Sequence, residues 1–186
     1  MPNTLKQRLD YDDLAATPND GKRYELIDGI LLVTPSPIPL HQRVSRGLER
    51  QLEAFFEPLG CEVFHAPVDL ILTKHDVVVP DVLVVEDAAS VTERAIEAPP
   101  LLVVEILSPG TRKTDRTIKF QLYARRGIRH YWIVDAKARR IECFRATGGS
   151  YELVADATGE TPLRHPAWPG LQIDLAALWA GGPRRG

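Results

Sequence analysis

Cysteine is nearly absent. Only Cys61 and Cys143 occur in 186 residues, with no C-x-x-C spacing between them. That excludes a disulfide framework and leaves two buried, reduced thiols, as expected of a cytoplasmic protein. Long apolar runs are lacking too: nothing approaches the ~20 residues of a membrane span. The opening MPNTLKQRLDYDD has no apolar segment, so no signal peptide is expected. An excess of one charge is missing as well. With 23 Lys and Arg against 25 Asp and Glu, the net charge of −2 neither demands nor excludes a polyanionic partner. There is no repeat of 20–50 residues and no low-complexity tract. What is present is ordinary: 44% hydrophobic and 26% charged residues, enough for one domain with a core, taken as 1–186.

The pattern along the chain predicts an α/β fold, a central mixed β-sheet flanked by helices. LDYDDLAATPNDG reads as a short helix closed by a turn at Pro18–Gly21. RYELIDG and ILLVTP read as two strands joined at Asp28-Gly29, a strong hairpin signal. Val44, Leu48, Leu52, Phe55 and Phe56 recur at helical spacing, predicting a helix from about His41 to Phe56. CEVFHAPVDLILT gives one or two strands. VVVPDVLVV and PPLLVVEILSPG are apolar runs interrupted by Asp81 and Glu105. TRKTDRTIKFQLYARRGI reads as a helix, with Thr114 or Asp115 as N-cap and Gly127 as C-cap. RHYWIVDAKARRIECFRA is a strand, a turn and a strand, and SYELVA an edge strand. Residues 146–186 close the chain with a strand and a helix around a core of about 20–145.

Glu105 carries most information about chemistry. A carboxylate inside L101-L-V-V-E-I-L107 costs several kcal/mol unless it is neutralised, paired or bound to a cation. The plain alternative is a salt bridge or a strand-end cap. Asp81 occupies the equivalent place in the preceding apolar run. Pro80 has no N–H to give a ladder, so it breaks the strand there and frees Asp81 to face a site. Two acids on adjacent strands make the oxygen-rich pocket that Mg²⁺ prefers, and the metal neutralises both.

Pro80-Asp81, Glu105-Ile-Leu-Ser-Pro-Gly110, Asp115, Lys119 and Tyr131-Trp-Ile-Val-Asp135, with Tyr24-Glu-Leu-Ile-Asp-Gly29 and His41 upstream, form an ordered set. This set resembles the Uma-two family of putative restriction endonucleases, of the PD-(D/E)xK superfamily, over about residues 20–145. The resemblance implies a restriction endonuclease-like fold and Mg²⁺-dependent hydrolysis of phosphodiester bonds in nucleic acid, with DNA the expected substrate and Mn²⁺ able to stand in for Mg²⁺. It implies metal ligation by Asp81, Glu105 and Glu25, and substrate or outer-sphere roles for His41, Asp115 and Gln121.

One departure matters. The superfamily lysine stands two residues after the second acid, on the same strand face; here that residue is Leu107. Lys119, on the following helix, is the best replacement, and its plain alternative is an i,i+4 pair with Asp115. Lys113 is a second choice. Asp135-Ala136-Lys137 imitates the motif but reads as a hairpin turn. Tyr123, Tyr131 and Trp132 read as core aromatics. Arg112, Arg116, Arg125 and Arg126 are candidates for phosphate contacts or a solvated face. The rival reading is a binding module for nucleic acid or protein that keeps the fold and has lost cleavage. A homodimer is expected, because cutting two strands suits a two-fold axis.

Overall fold

The structure, a computed structural model, describes residues 8–34 and 36–180. Its first helix, α1 (Tyr11–Ala15), is fixed by Asp10 and Asp13, whose carboxylates each accept from the other end of the first turn. Next come β1 (Arg23–Ile27) and β2 (Ile30–Thr34), an antiparallel hairpin. Asp28 and Gly29 turn it with φ of 53° and 72°, the two positive values a mirror-image turn requires. The long helix α2 (Pro39–Phe56) starts two residues before the expected His41, because Pro39 sits in its first turn, where a missing N–H costs nothing.

The strands β3 (Glu62–His65), β4 (Leu70–Thr73), β5 (Asp76–Val78), β6 (Val82–Val85) and β7 (Leu102–Ile106) follow. The run VVVPDVLVV is therefore two strands, and they belong to different sheets. β5 lies in a four-stranded sheet of order β2-β1-β5-β4, whereas β6 lies in a six-stranded sheet. Val79, Pro80 and Asp81 make the crossing, at the residue whose missing N–H ends a ladder.

After β7 the chain forms α3 (Arg112–Thr114), a π-helical turn over Asp115–Lys119, and α4 (Phe120–Arg125). This corrects the expected N-cap at Thr114 or Asp115. The helical path already starts after Thr111, because Ser108 and Thr111 lock the preceding loop: each backbone N–H donates to the other's hydroxyl at 3.2 Å. Gly127, at φ 80°, ends the helix as expected. Then come β8 (His130–Asp135), β9 (Arg140–Thr147), β10 (Ser150–Thr158), the short pair β11 (Leu163–Arg164) and β12 (Gln172–Ile173), and α5 (Leu175–Ala180).

The larger sheet has the order β10-β9-β8-β7-β6-β3. β7 and β8 are parallel and the other pairs antiparallel, so the sheet is mixed. Side chains alternate across it. Leu102, Val104, Ile106 and Trp132 pack with Leu48 and Leu52 of α2 on one face. Val103, Tyr131 and Ile133 pack with Leu122 and Tyr123 of α4 on the other. Glu105 belongs to this second face by parity. Cys61 and Cys143 are free thiols. Among the described residues no helix is long and apolar enough to cross a membrane.

Candidate active site

Asp81 stands immediately before β6 and Glu105 near the end of β7. The register that pairs Val82 with Val104 sets the two acids side by side at the mouth of the sheet. Glu25 comes from β1 of the smaller sheet and Lys119 from the π turn. All four are about 98% buried, so the constellation is the floor of a cleft rather than a surface patch. The cleft has a volume of about 250 Å³ and is walled by Pro37, Ile38, His41 and the Ser108–Thr111 loop.

Lys119 is the hub. Its ammonium donates to Glu25 Oε1 at 2.8 Å and to Glu105 Oε1 at 2.9 Å, with Asp115 Oδ1 at 3.9 Å. Leu107 packs into the apolar core on the face that Glu105 shares. The lysine arrives from the helix instead: Asp115 and Lys119, four residues apart at the two ends of the π turn, share its inner face and are both buried. Burial opposes charge on Lys119, yet Glu105, Glu25 and Asp115 outweigh it and hold the amine firmly protonated.

The acids are unequal. Burial pushes Glu105 up to about 8, against relief from Lys119 and with repulsion from Asp115, Asp81 and Glu25. Asp115 rises to about 6 for the same leading reason, and its Oδ1 is buried without a hydrogen-bond partner. Asp81 is depressed: burial works against it, but His41, Arg23 and the Ile106 N–H prevail. Its Oδ1 accepts from Arg23 at 3.0 Å, and its Oδ2 from the Ile106 N–H at 2.8 Å and from His41 Nε2 at 3.0 Å. Nε2 is therefore the protonated nitrogen of His41 when its ring is neutral, and Nδ1 remains an acceptor with no partner.

Four carboxylates thus face two permanent cations, Lys119 and Arg23, which leaves an uncompensated negative charge that invites a hard cation or a proton. Among the described residues no three His, Cys, Asp or Glu form a ready-made metal cage. Mg²⁺ does not need one, since one or two carboxylates, waters and substrate phosphate complete its octahedron. A carboxylate offers about four lone-pair positions, and Asp81 has three acceptances in place. The residues present fit a divalent ion held by Asp81 and Glu105, with Glu25 tied back to Lys119 and to the Val79 N–H at 2.8 Å.

Of the remaining expected residues, His41 and Asp115 line or border this cleft, and Gln121 does not. Gln121 is exposed on α4 and borders a separate depression with Phe120, Ala124 and Arg125. It lies two residues past Lys119, which puts it on another side of the helix. Lys113 is also exposed. Asp135 caps its hairpin turn, accepting from the Ala138 N–H at 3.0 Å, and pairs with Arg112 at 2.8 Å. The four arginines expected to flank the helix are committed elsewhere: Arg112 to Asp135, Arg116 to Glu142, Arg125 to Asp28 and Arg126 to Asp76.

Two residues of the site escape the sequence reading. Arg23 shares the strand face of Glu25, two residues on, which is a signal of position. Tyr123 is buried as expected, but its hydroxyl donates to Glu105 Oε1 at 2.7 Å. It lies one helical turn from Lys119, so both reach the same acid. Tyr123→Phe removes that donor from a buried acid and is expected to cost about 2 kcal/mol in urea unfolding. No loss would mean that Glu105 does not depend on the phenol.

A pH effect follows from Glu105. The folded chain keeps its proton up to about 8, while an ordinary glutamate loses it near 4.5. Between those values the folded state binds more protons, so stability falls as pH rises. The buried His130 and His165, lowered to about 4 by burial, act with the opposite sign, but only below their ordinary 6.5. In EDTA, the urea midpoint is therefore expected to drop from pH 6.5 to pH 8, and Glu105→Gln to flatten that slope. A midpoint that climbs over this interval contradicts the assignment.

The fold is similar to the crystal structure of a putative nuclease belonging to DUF820 from Anabaena variabilis, with a TM-score of 0.74 and 17% identity over 93% of this chain and 98% of that one. This likeness bears out the mixed-sheet, restriction endonuclease-like fold. Residues 9–176 match the Uma2 family, described as "Putative restriction endonuclease", and the chain belongs to that family. No curated protein sequence matches the chain.

Proposed function

We propose that the protein is a Mg²⁺-dependent nuclease that hydrolyses DNA phosphodiester bonds, with its catalytic lysine moved from the β7 strand to the following helix. The observation that carries this reading is the Lys119 ammonium, seated 2.8 Å and 2.9 Å from Glu25 and Glu105 beside Asp81. Membership of a family described as "Putative restriction endonuclease" supports the same reading.

Asp81 and Glu105 hold the metal in this proposal, with Mn²⁺ as a substitute for Mg²⁺. Bound there, the ion supplies a water of lowered pKa and offsets charge on the scissile phosphate. Lys119 remains protonated, so it donates hydrogen bonds: it orients the attacking oxygen and neutralises phosphate charge rather than removing a proton. Glu25 positions Lys119. His41 positions Asp81 through Nε2. A homodimer is the form that would cut both strands, and gel filtration reads it directly.

The test is nicking of supercoiled plasmid and of single-stranded DNA with Mg²⁺, with Mn²⁺ and with EDTA. The proposal expects cutting with either ion and none in EDTA. Binding of DNA with no cutting under any of these conditions would instead support a binding module on the same fold.

A further inference from the structure

Arginines in this chain are mostly engaged. Those at 8, 23, 94 and 145, like the four around α4, each pair with a carboxylate. Against that background one patch is different. Arg43, Arg46 and Arg50 are all exposed on α2, and among the described residues none of them pairs with an acid. Their spacing of three and four residues sets them in one row. At 1.5 Å per residue the row is roughly 10 Å long. Successive phosphates of one strand advance about 3.4 Å along a duplex, so the row matches roughly three of them.

The place of the row is as informative as its charge. Arg43 and Arg46 border a groove of about 340 Å³ that also touches Pro39, Gln42 and Ser45. Ser45 is the link to the chemistry. Its hydroxyl donates to the backbone carbonyl of Asp81 at 3.4 Å, so one side chain separates the groove from the acid pair. His41, whose Nδ1 is buried without a partner, stands one turn earlier on the same helix. The first turn of α2 carries no acidic residue, and Ile38 supplies no side-chain cap to its free N–H groups. The one acid in the groove, Glu49, is engaged by His65. A chain with net charge −2 has no general surplus of basic surface, so an unpaired arginine row beside the cleft calls for an outside anion.

We infer that the outer groove of α2 and the exposed helix face that continues it form a polynucleotide backbone track, along which Arg43, Arg46 and Arg50 hold consecutive phosphates of the strand whose neighbouring phosphate enters the Asp81–Glu105 cleft. The inference rests on the nuclease reading and adds to it where the substrate runs. It also assigns this helix the role that the paired arginines around α4 cannot take. Contacts of this kind carry affinity without sequence preference.

The test uses the full chain with Arg43, Arg46 and Arg50 all changed to Gln. Binding of a fluorescent oligonucleotide, single-stranded and duplex, is followed against salt with Ca²⁺ in place of Mg²⁺. Each phosphate that an arginine no longer neutralises should flatten the slope of log K against log salt by roughly one. The slope of the triple variant is therefore expected to be shallower by roughly three, with weaker binding at every sequence. Hydrolysis of the small diester bis(4-nitrophenyl) phosphate should stay at the wild-type rate, which also shows that the variant is folded. A control with Lys137, Arg139 and Arg164 changed to Gln removes equal charge elsewhere and should keep the wild-type slope. An unchanged slope in the α2 variant, or equal flattening in both triples, overturns the track, and so does a collapse of small-diester hydrolysis. If the wild type neither binds polynucleotide nor cleaves the small diester, the nuclease reading itself fails.

Discussion

Changing Lys119 to Met is expected to do two separable kinds of damage. The first is to stability. Glu25, Glu105 and Asp115 surround one ammonium that is about 98% buried. Removing one member of a buried ion network leaves the others uncompensated, at a cost of about 3–5 kcal/mol. Methionine keeps most of the volume, so the loss reports charge and not a cavity. The three acids can recover part of it by taking up a proton, so the loss should be largest at pH 8 and smaller near pH 6. Mg²⁺ should also recover part of it. The second kind of damage is to activity. Loss of a hydrogen-bond donor aimed at transition-state charge typically costs about 10²–10³-fold, and saturating Mg²⁺ should not restore it. Urea unfolding with and without Mg²⁺, beside single-turnover cleavage of labelled DNA, reads the two effects independently. Full stability in EDTA at pH 8 would mean that Lys119 is not the counter-ion of this pocket. Wild-type cleavage would remove it from the mechanism.

The largest loss of activity with the least loss of stability is expected from Glu105→Gln. Glutamine has the shape of the protonated acid and can still accept from Lys119 and Tyr123. At pH 8 the metal-free variant should be as stable as the wild type or more so, because a buried carboxylate has been replaced by a neutral amide. Cleavage should fall about 10³-fold, since metal stabilisation of transition-state charge amounts to several kcal/mol and each 1.4 kcal/mol is a factor of ten. Asp81→Asn should lose as much activity but also some stability. Its carboxylate accepts from Arg23, His41 and the Ile106 N–H, and an amide nitrogen cannot serve all three. Cleavage retained in Glu105→Gln would contradict the role given to this acid.

Much of this arrangement is legible in the sequence. A glutamate inside a fully apolar strand and an aspartate behind a strand-breaking proline both declare themselves by cost. The leucine at 107 points away from the strand and toward Lys119 as the source of the lysine. The hairpin at Asp28-Gly29 and the crossing at Pro80 are written in residues with few conformational choices. The π turn is not legible, because periodicity reports one winding and a single wide turn leaves the apolar pattern on either side intact. The helix start after Thr111 is hidden for a separate reason, since it depends on the reciprocal Ser108 and Thr111 hydrogen bonds of the preceding loop, and Gln121, two residues past Lys119, faces elsewhere. The role of Tyr123 is hidden because a buried tyrosine and a site tyrosine share one apolar environment, and only the hydroxyl's partner separates them. The arginines around α4 mislead for a related reason. Composition shows how many cations there are, but only the fold shows which already have acids, and that distinction moves attention to α2.

The central claim is that Asp81 and Glu105 together hold a divalent ion. Calorimetric titration of Mn²⁺ into the wild type, Asp81→Asn and Glu105→Gln, at pH 8 and without nucleic acid, tests it most directly. The account predicts saturable binding to the wild type, with proton release as Glu105 gives up its proton, and at least a tenfold weaker affinity in each variant. Wild-type affinity in both variants would place the metal elsewhere and contradict the account.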